Sequence, residues 1–215
     1  MPWAPDILVP WTKLEHGPKR FSLADIGVRQ LADGDVIQTA TGDASLRALY
    51  TPGHTVDHSC FVLEQEGALF SGDHVLGGSS GVFEDLHSYM KSLDKALNEL
   101  PKGEGGRIYP GHGPVIEDGH AGVVAYLENR RAREKQVIDA LQDCRWGLTP
   151  IMLVRRIYPS LSLTLTMAAA SNVEKALRKL ERDGRARVRF ESPCPIRFRG
   201  FSLDGAFATV WTLRD

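Results

Sequence analysis

The sequence predicts an α/β domain followed by a mostly helical module that closes on a β-hairpin, in a winged-helix arrangement. Three observations carry this. Short apolar runs alternate with turns marked by Gly and Pro from Asp35 to His112. One amphipathic helical stretch, Leu86–Leu100, interrupts them. After residue 120, three helical patterns precede two strictly alternating runs. The implied domains are 1–120 and 121–215, with the change of pattern falling somewhere between residues 118 and 135.

Within the first domain, Ser45–Tyr50 alternates, with Leu46, Ala48 and Tyr50 on one face. Cys60–Glu64, Ala68–Phe70 and Arg107–Tyr109 are further apolar runs, and Gly67 marks a turn between two of them. Leu86, Tyr89, Met90, Leu93, Leu97 and Leu100 recur at helical spacing, with Lys91, Asp94, Lys95 and Asn98 opposite. That stretch reads as a helix covering a sheet face, stopped by Pro101. His87 falls on its polar side and is expected to be solvated.

In the second domain, Ala121–Leu141 reads as a long charged helix. Thr149-Pro150 is an N-cap and first-turn signal for a short helix carrying Ile151, Val154, Ile157 and Tyr158, ended by Pro159. Thr166–Asp183 places Ala169, Val173, Leu177 and Leu180 on one stripe, with Gly184 at its end. Arg185–Phe190 then alternates, as do Phe207, Thr209, Trp211 and Leu213. The outer face of this wing strand carries Arg185, Arg187 and Arg189, with Arg197 and Arg199 in the loop. No cluster of RNA-stacking aromatics is evident.

The chain has 215 residues, 42% hydrophobic and 25% charged, the usual mix for a globular protein. No run approaches the ~18 apolar residues of a membrane span, so no membrane partner is expected. The N-terminus resembles neither a secretory signal nor a transit peptide. Cys60, Cys144 and Cys194 are odd in number and far apart, which argues against a disulfide framework and for a reducing compartment, the cytoplasm or the mitochondrial matrix. The net charge of −1 hides a split. Residues 1–120 hold 9 Lys and Arg against 17 Asp and Glu, a balance of −8; residues 121–215 hold 17 against 10, a balance of +7. The split is expected either of a basic partner-binding module joined to a more acidic one or of basic helical faces that are merely solvated.

Three motifs follow directly on apolar runs: TPGHT at 51–55, SGD at 71–73 and YPGHGP at 109–114. Loops that follow successive strands can meet at one edge of a sheet. Imidazole nitrogen and carboxylate oxygen are the donors that open catalytic zinc sites use. The Pro-Gly and Gly-Pro flanks make tight turns with room around the imidazoles. One Pro-Gly-His turn is weak, but three such motifs in this order are specific.

With them, residues 30–190 resemble the metallo-beta-lactamase superfamily. VFEDLHSYMKSL at 82–93 and the basic winged-helix tail narrow the resemblance to the beta-lactamase-like protein 2 subfamily, whose studied member is a zinc-dependent endoribonuclease acting on single-stranded RNA. Fungal acyl-carrier-protein thioesterases of polyketide pathways look similar over the same region. The resemblance implies the C-terminal part of an αβ/βα sandwich followed by a winged helix. It also implies that His54 binds a first Zn2+, His112 a second, and Asp73 bridges the two, with a metal-activated hydroxide as nucleophile. His58 is expected either to line the pocket or to be structural, and His74, next to the bridging Asp73, either to orient it from behind or to have no such role. His16 and His120 are expected at the surface.

The family's His-x-His-x-Asp-His signature is absent, so the chain is expected to start downstream of it. Each metal then keeps two protein ligands where catalytic zinc generally has three and a water. The missing part would also bare an apolar sheet face and leave residues 1–120 marginally stable alone. Three functions remain: cleavage of single-stranded RNA, for which Arg185, Arg187 and Arg189 would contact phosphates; thioester hydrolysis at the same site; and a truncated, inactive or purely interacting form.

Overall fold

A computed structural model describes residues 29–102, 106–142, 144, 146–190, 197–198, 201–202 and 209–214. His16, Cys194, Arg199 and Phe207 lie outside them. Five strands form the first sheet: β1 (Val36–Gln38), β2 (Ser45–Tyr50), β3 (Ser59–Leu63), β4 (Ala68–Gly72) and β5 (Ile108–Pro110). They lie in sequence order, antiparallel up to β4 and parallel between β4 and β5. The parallel step needs a crossover, and α1 (Leu86–Glu99) supplies it. Asp85 caps α1 by accepting from the Ser88 amide and hydroxyl.

The register sorts the sheet into two faces. Leu49 pairs with Cys60, Val62 with Leu69 across the next ladder, and Leu69 with Ile108; all are buried. They join Leu86, Tyr89, Met90, Leu93 and Ala96 of α1 in the core. Burying one such leucine stabilises by roughly 1.5–3 kcal/mol. Leu46, Ala48 and Tyr50, the face suggested by the alternation of β2, lie on the other side with Phe61 and Phe70. That face is apolar yet half-open: Ile37 is 37%, Tyr50 42% and Phe70 40% exposed, and Phe70 stacks on Tyr109 at 5.1 Å.

The helices that follow are α2 (Gly119–Gln142), α3 (Pro150–Ile157) and α4 (Leu163–Arg182). Thr149 caps α3, with Pro150 in its first turn. The last helix begins at Leu163, earlier than the alternating SLSLTLT suggests, because Ser162 accepts from the Leu165 amide. Strand β6 (Ala186–Phe190) pairs antiparallel with β9 (Val210–Leu213), and a short hairpin joins β7 (Arg197–Phe198) to β8 (Phe201–Ser202). Arg197 is therefore in a strand rather than a loop. Helix α2 packs on α1 as well as on α3, α4 and β9, and one buried cluster runs from Leu49 to Trp211. Among the described residues no helix is long and apolar enough to cross a membrane.

His87 departs from expectation. Its ring is 23% exposed, and Nδ1 lies 3.2 Å from Asp183 Oδ1 at the end of α4. The end of α4 reaches the first turn of α1, so the imidazole meets a carboxylate there, while Lys91, Asp94 and Asn98 farther along that side stay exposed.

Candidate metal centre

Because β2 and β4 both pair antiparallel with β3, they run parallel to each other and to β5. The C-terminal ends of all three therefore share one edge of the sheet, where the TPGHT, SGD and PGHGP turns follow. Close backbone contact fixes these turns. Gly53 has φ +132°, and a Cβ there would lie 2.3 Å from the Tyr89 amide nitrogen of α1. Its carbonyl accepts from the Glu84 and Asp85 amides at 2.7 and 3.1 Å. Gly113, at φ +87°, interlocks with Gly77; a Cβ on it would meet the Gly77 carbonyl oxygen at 1.9 Å. Only glycine admits both the left-handed φ and this approach.

These turns bring His54, Asp73 and His112 together. His54 Nε2 is 3.8 Å from Asp73 Oδ2, and His112 Nε2 is 3.6 Å from Asp73 Oδ1. One carboxylate thus offers an oxygen to each imidazole. Metal–ligand bonds of ~2.0–2.1 Å at a tetrahedral angle set donors ~3.4 Å apart, so both separations suit an ion between each pair. His54 Nδ1 lies 2.7 Å from the Val82 carbonyl oxygen. A carbonyl only accepts, so Nδ1 carries the proton and Nε2 presents its lone pair toward Asp73. The donor types, separations and tautomer fit a bridged pair of metal ions. The number does not complete one: among the described residues no group of three or more His, Cys, Asp or Glu is placed to hold a metal.

Behind this edge His58 and His74 go inward. His58 Nδ1 is 2.9 Å from Thr51 Oγ1, which donates to Cys60 Sγ at 3.2 Å. The hydroxyl has one proton, so His58 donates to it and keeps an unprotonated Nε2, which faces Gly72. The rings of His54 and His58 meet edge to face at 5.6 Å. Burial first, then the nearby His54, lowers the pKa of His58. His74 is fully buried, its ring 4.5 Å from Tyr89 and 5.5 Å from His58, and neither nitrogen has a hydrogen-bond partner. It packs as a neutral ring, its pKa held down to about 3 chiefly by burial, and does not hydrogen-bond to Asp73. Burial also pushes the Cys60 thiol up to about 12, which makes it an inert core group. His120 is half-buried at the start of α2.

On the wing, Arg185, Arg187 and Arg189 are exposed, while Ala186 between them is buried. Arg185 is drawn to Glu134 of α2 at 3.3 Å. The Arg189 guanidinium lies 5.3 Å from the ring centre of Trp146, which is 81% exposed. Sequence reading passed over Trp146 because it stands alone between α2 and α3; only the fold sets it beside the wing.

A metallo-beta-lactamase superfamily model matches residues 3–112, and a beta-lactamase associated winged helix domain model matches residues 149–191. Among curated proteins, the chain is 39% identical over 170 residues to a beta-lactamase-like protein 2 homolog of Caenorhabditis elegans, covering 79% of this chain and 53% of that protein. It is 44% identical over 142 residues to an atrochrysone carboxyl ACP thioesterase of Aspergillus chevalieri, covering 66% of this chain and 44% of that one. The chain thus spans about half the length of these relatives. A beta-lactamase domain protein from Burkholderia ambifaria superposes with a TM-score of 0.67 at 19% identity, over 86% of this chain and 52% of that one. A metallo-beta-lactamase family protein from Thermus thermophilus gives 0.60 at 22%, over 86% and 54%. The likeness to these two structures concerns the fold.

Proposed function

The chain belongs to the metallo-beta-lactamase superfamily, a family of hydrolases, and we propose that it serves a metal-dependent endoribonuclease acting on single-stranded RNA. His54, Asp73 and His112 would hold the Zn2+ ions, with the Asp73 carboxylate available to both imidazole positions. Bound there, the metals would supply a water of lowered pKa as nucleophile and polarise the scissile phosphate. The chain's own residues fix the geometry: Asp73 spans both positions, and the Val82 carbonyl holds the His54 tautomer.

The observation that carries the RNA reading is the pairing of Arg189 with the exposed Trp146 beside Arg187. Single strands bind through cations that follow phosphates and aromatic faces that stack bases, worth about 1–3 kcal/mol per base. The test is fluorescence anisotropy of a labelled single-stranded RNA with the intact chain. Trp146→Ala and Arg187→Glu are each expected to weaken binding on the order of tenfold. Unchanged affinity in both variants would refute the reading.

Thioester hydrolysis is the second reading, favoured by the 44% identity to a protein named a thioesterase. A site that polarises a phosphoryl oxygen also polarises a thioester carbonyl. Turnover of an acyl-pantetheine thioester but not of RNA by a protein with completed metal sites would decide for it.

A further inference from the structure

Three side chains of the helical module converge on the loop between β4 and α1. Arg130 of α2 donates to the Gly81 carbonyl at 2.5 Å, and Lys175 of α4 donates to the Phe83 carbonyl at 2.6 Å. The Tyr126 hydroxyl accepts from the Leu76 amide at 2.9 Å and donates to the Ser79 carbonyl. The Phe83 ring, itself buried, lies 4.7 Å from the Arg130 guanidinium and 5.4 Å from the Lys175 ammonium.

Between the two gripped carbonyls is Val82. The residue is 67% exposed, but its carbonyl is the acceptor for His54 Nδ1. The group that selects the His54 tautomer is therefore held from its two neighbours, by cations that belong to another part of the fold. Hydrogen bonds to charged donors are the stronger kind, and Lys175 makes its bond while half-buried.

We propose that Arg130 and Lys175, supported by Tyr126, are positioning residues for His54: the helical module fixes the Val82 carbonyl so that His54 keeps Nδ1 protonated and turns Nε2 to Asp73. The winged-helix part is then a structural component of the metal edge and not only a tethered binding module. The proposal does not depend on which substrate the site takes.

The test reads the His54 ring in the metal-free chain, by two-bond 1H–15N NMR near pH 8, where an ordinary imidazole is neutral. Loss of the signal in His54→Gln assigns it. The parent chain should show a protonated Nδ1 and a bare Nε2. In Arg130→Met, Lys175→Met and their double variant the two nitrogen shifts should move toward each other, as the tautomers mix, while Lys175→Arg keeps the parent pattern. Zn2+ affinity, measured by competition with a chromophoric chelator, should fall about tenfold in the double variant. Leu180→Ala, in the same helix but off this loop, controls for stability: it lowers the melting temperature and leaves the His54 spectrum alone. An unchanged His54 spectrum in the folded double variant overturns the proposal, as does an equal change in Leu180→Ala. Should the double variant not fold, Tyr126→Phe removes one hydroxyl and must move the His54 shifts in the same direction; no movement there also overturns it.

Discussion

Replacing Gly53 by alanine tests whether the first metal-bearing turn is fixed by backbone contact with α1. The residue sits at φ +132°, where an L side chain costs on the order of 1–3 kcal/mol. The added Cβ would also lie 2.3 Å from the Tyr89 nitrogen and 2.4 Å from its Cα, both backbone atoms within a helix that cannot swing aside. Overpacking of this kind adds roughly 1–3 kcal/mol. Together they predict a loss of about 2–6 kcal/mol. With a urea slope of about 2 kcal/mol/M, the unfolding midpoint should fall by roughly 2 M. Gly34→Ala is the matched control, since it has φ +86° but nothing within 4 Å of the new Cβ. It should lose only about 1 kcal/mol, or roughly 0.5 M. Equal shifts for the two variants, or a Gly53→Ala shift below about 0.5 M, would show that the turn yields and that the close approach does not hold it.

Other expectations concern the seam and the metal edge. Glu134, with its side chain 9% exposed, holds Lys179 at 2.8 Å and Arg185 at 3.3 Å; Glu134→Gln leaves Lys179 only Asp183, so urea unfolding should show a loss of about 2–3 kcal/mol, less than for a wholly orphaned charge. Asp85 and Asp183 also tie α1 to α4. Burial alone would raise both carboxyls, but Ser88 and Arg182 around Asp85, and Lys179 and His87 around Asp183, hold them below the ordinary range. A carboxyl depressed in the folded state adds stability above its unfolded pKa, near 4, and loses it as pH falls through the folded value. The melting temperature should therefore drop from about pH 4 downward, and more gently in Asp85→Asn and Asp183→Asn. At the metal edge, Asp73→Asn should remove more Zn2+ in equilibrium dialysis than His54→Ala or His112→Ala alone; equal losses would contradict a carboxylate facing both imidazoles.

Features with a local chemical cause could be read from the sequence. The Thr149-Pro150 cap, the stripe of α1 and the three ligand-bearing turns each depend on residues close together in the chain. What escaped depends on distant partners. Val36–Gln38 is a three-residue edge strand, exposed throughout, and leaves no periodic signal. Alternation in β2 shows that two faces exist but not which one meets α1, because Arg47 shares the covered side and reaches Glu99 there at 2.6 Å. His87 looked solvated because its partner Asp183 lies 96 residues away. The Val82 carbonyl carries no side-chain identity at all, so its role at His54 could not be seen in the sequence.

The charge split has a different meaning once the fold is known. A balance of −8 in residues 1–120 and +7 in residues 121–215 suggests a cationic surface for a polyanion. Part of that complement is paired within the fold at partly exposed positions: Arg182 pairs with Asp85 at 2.7 Å, Arg131 approaches Asp94 at 3.7 Å, and Arg130 and Lys175 are spent on carbonyls of the β4–α1 loop. Arg185 turns to Glu134, while Arg187 and Arg189 stay on the outer face of the wing. If the wing meets RNA, about two phosphate contacts follow, and each contributes about 0.7 to the salt slope for a single strand. The logarithm of the RNA affinity should then fall with the logarithm of salt at a slope of about −1.4. A module using its whole +7 surplus would give about −5. A slope near −5, measured by anisotropy between about 50 and 200 mM salt, would mean that the seam does not sequester these charges and that the basic surface extends well beyond the wing.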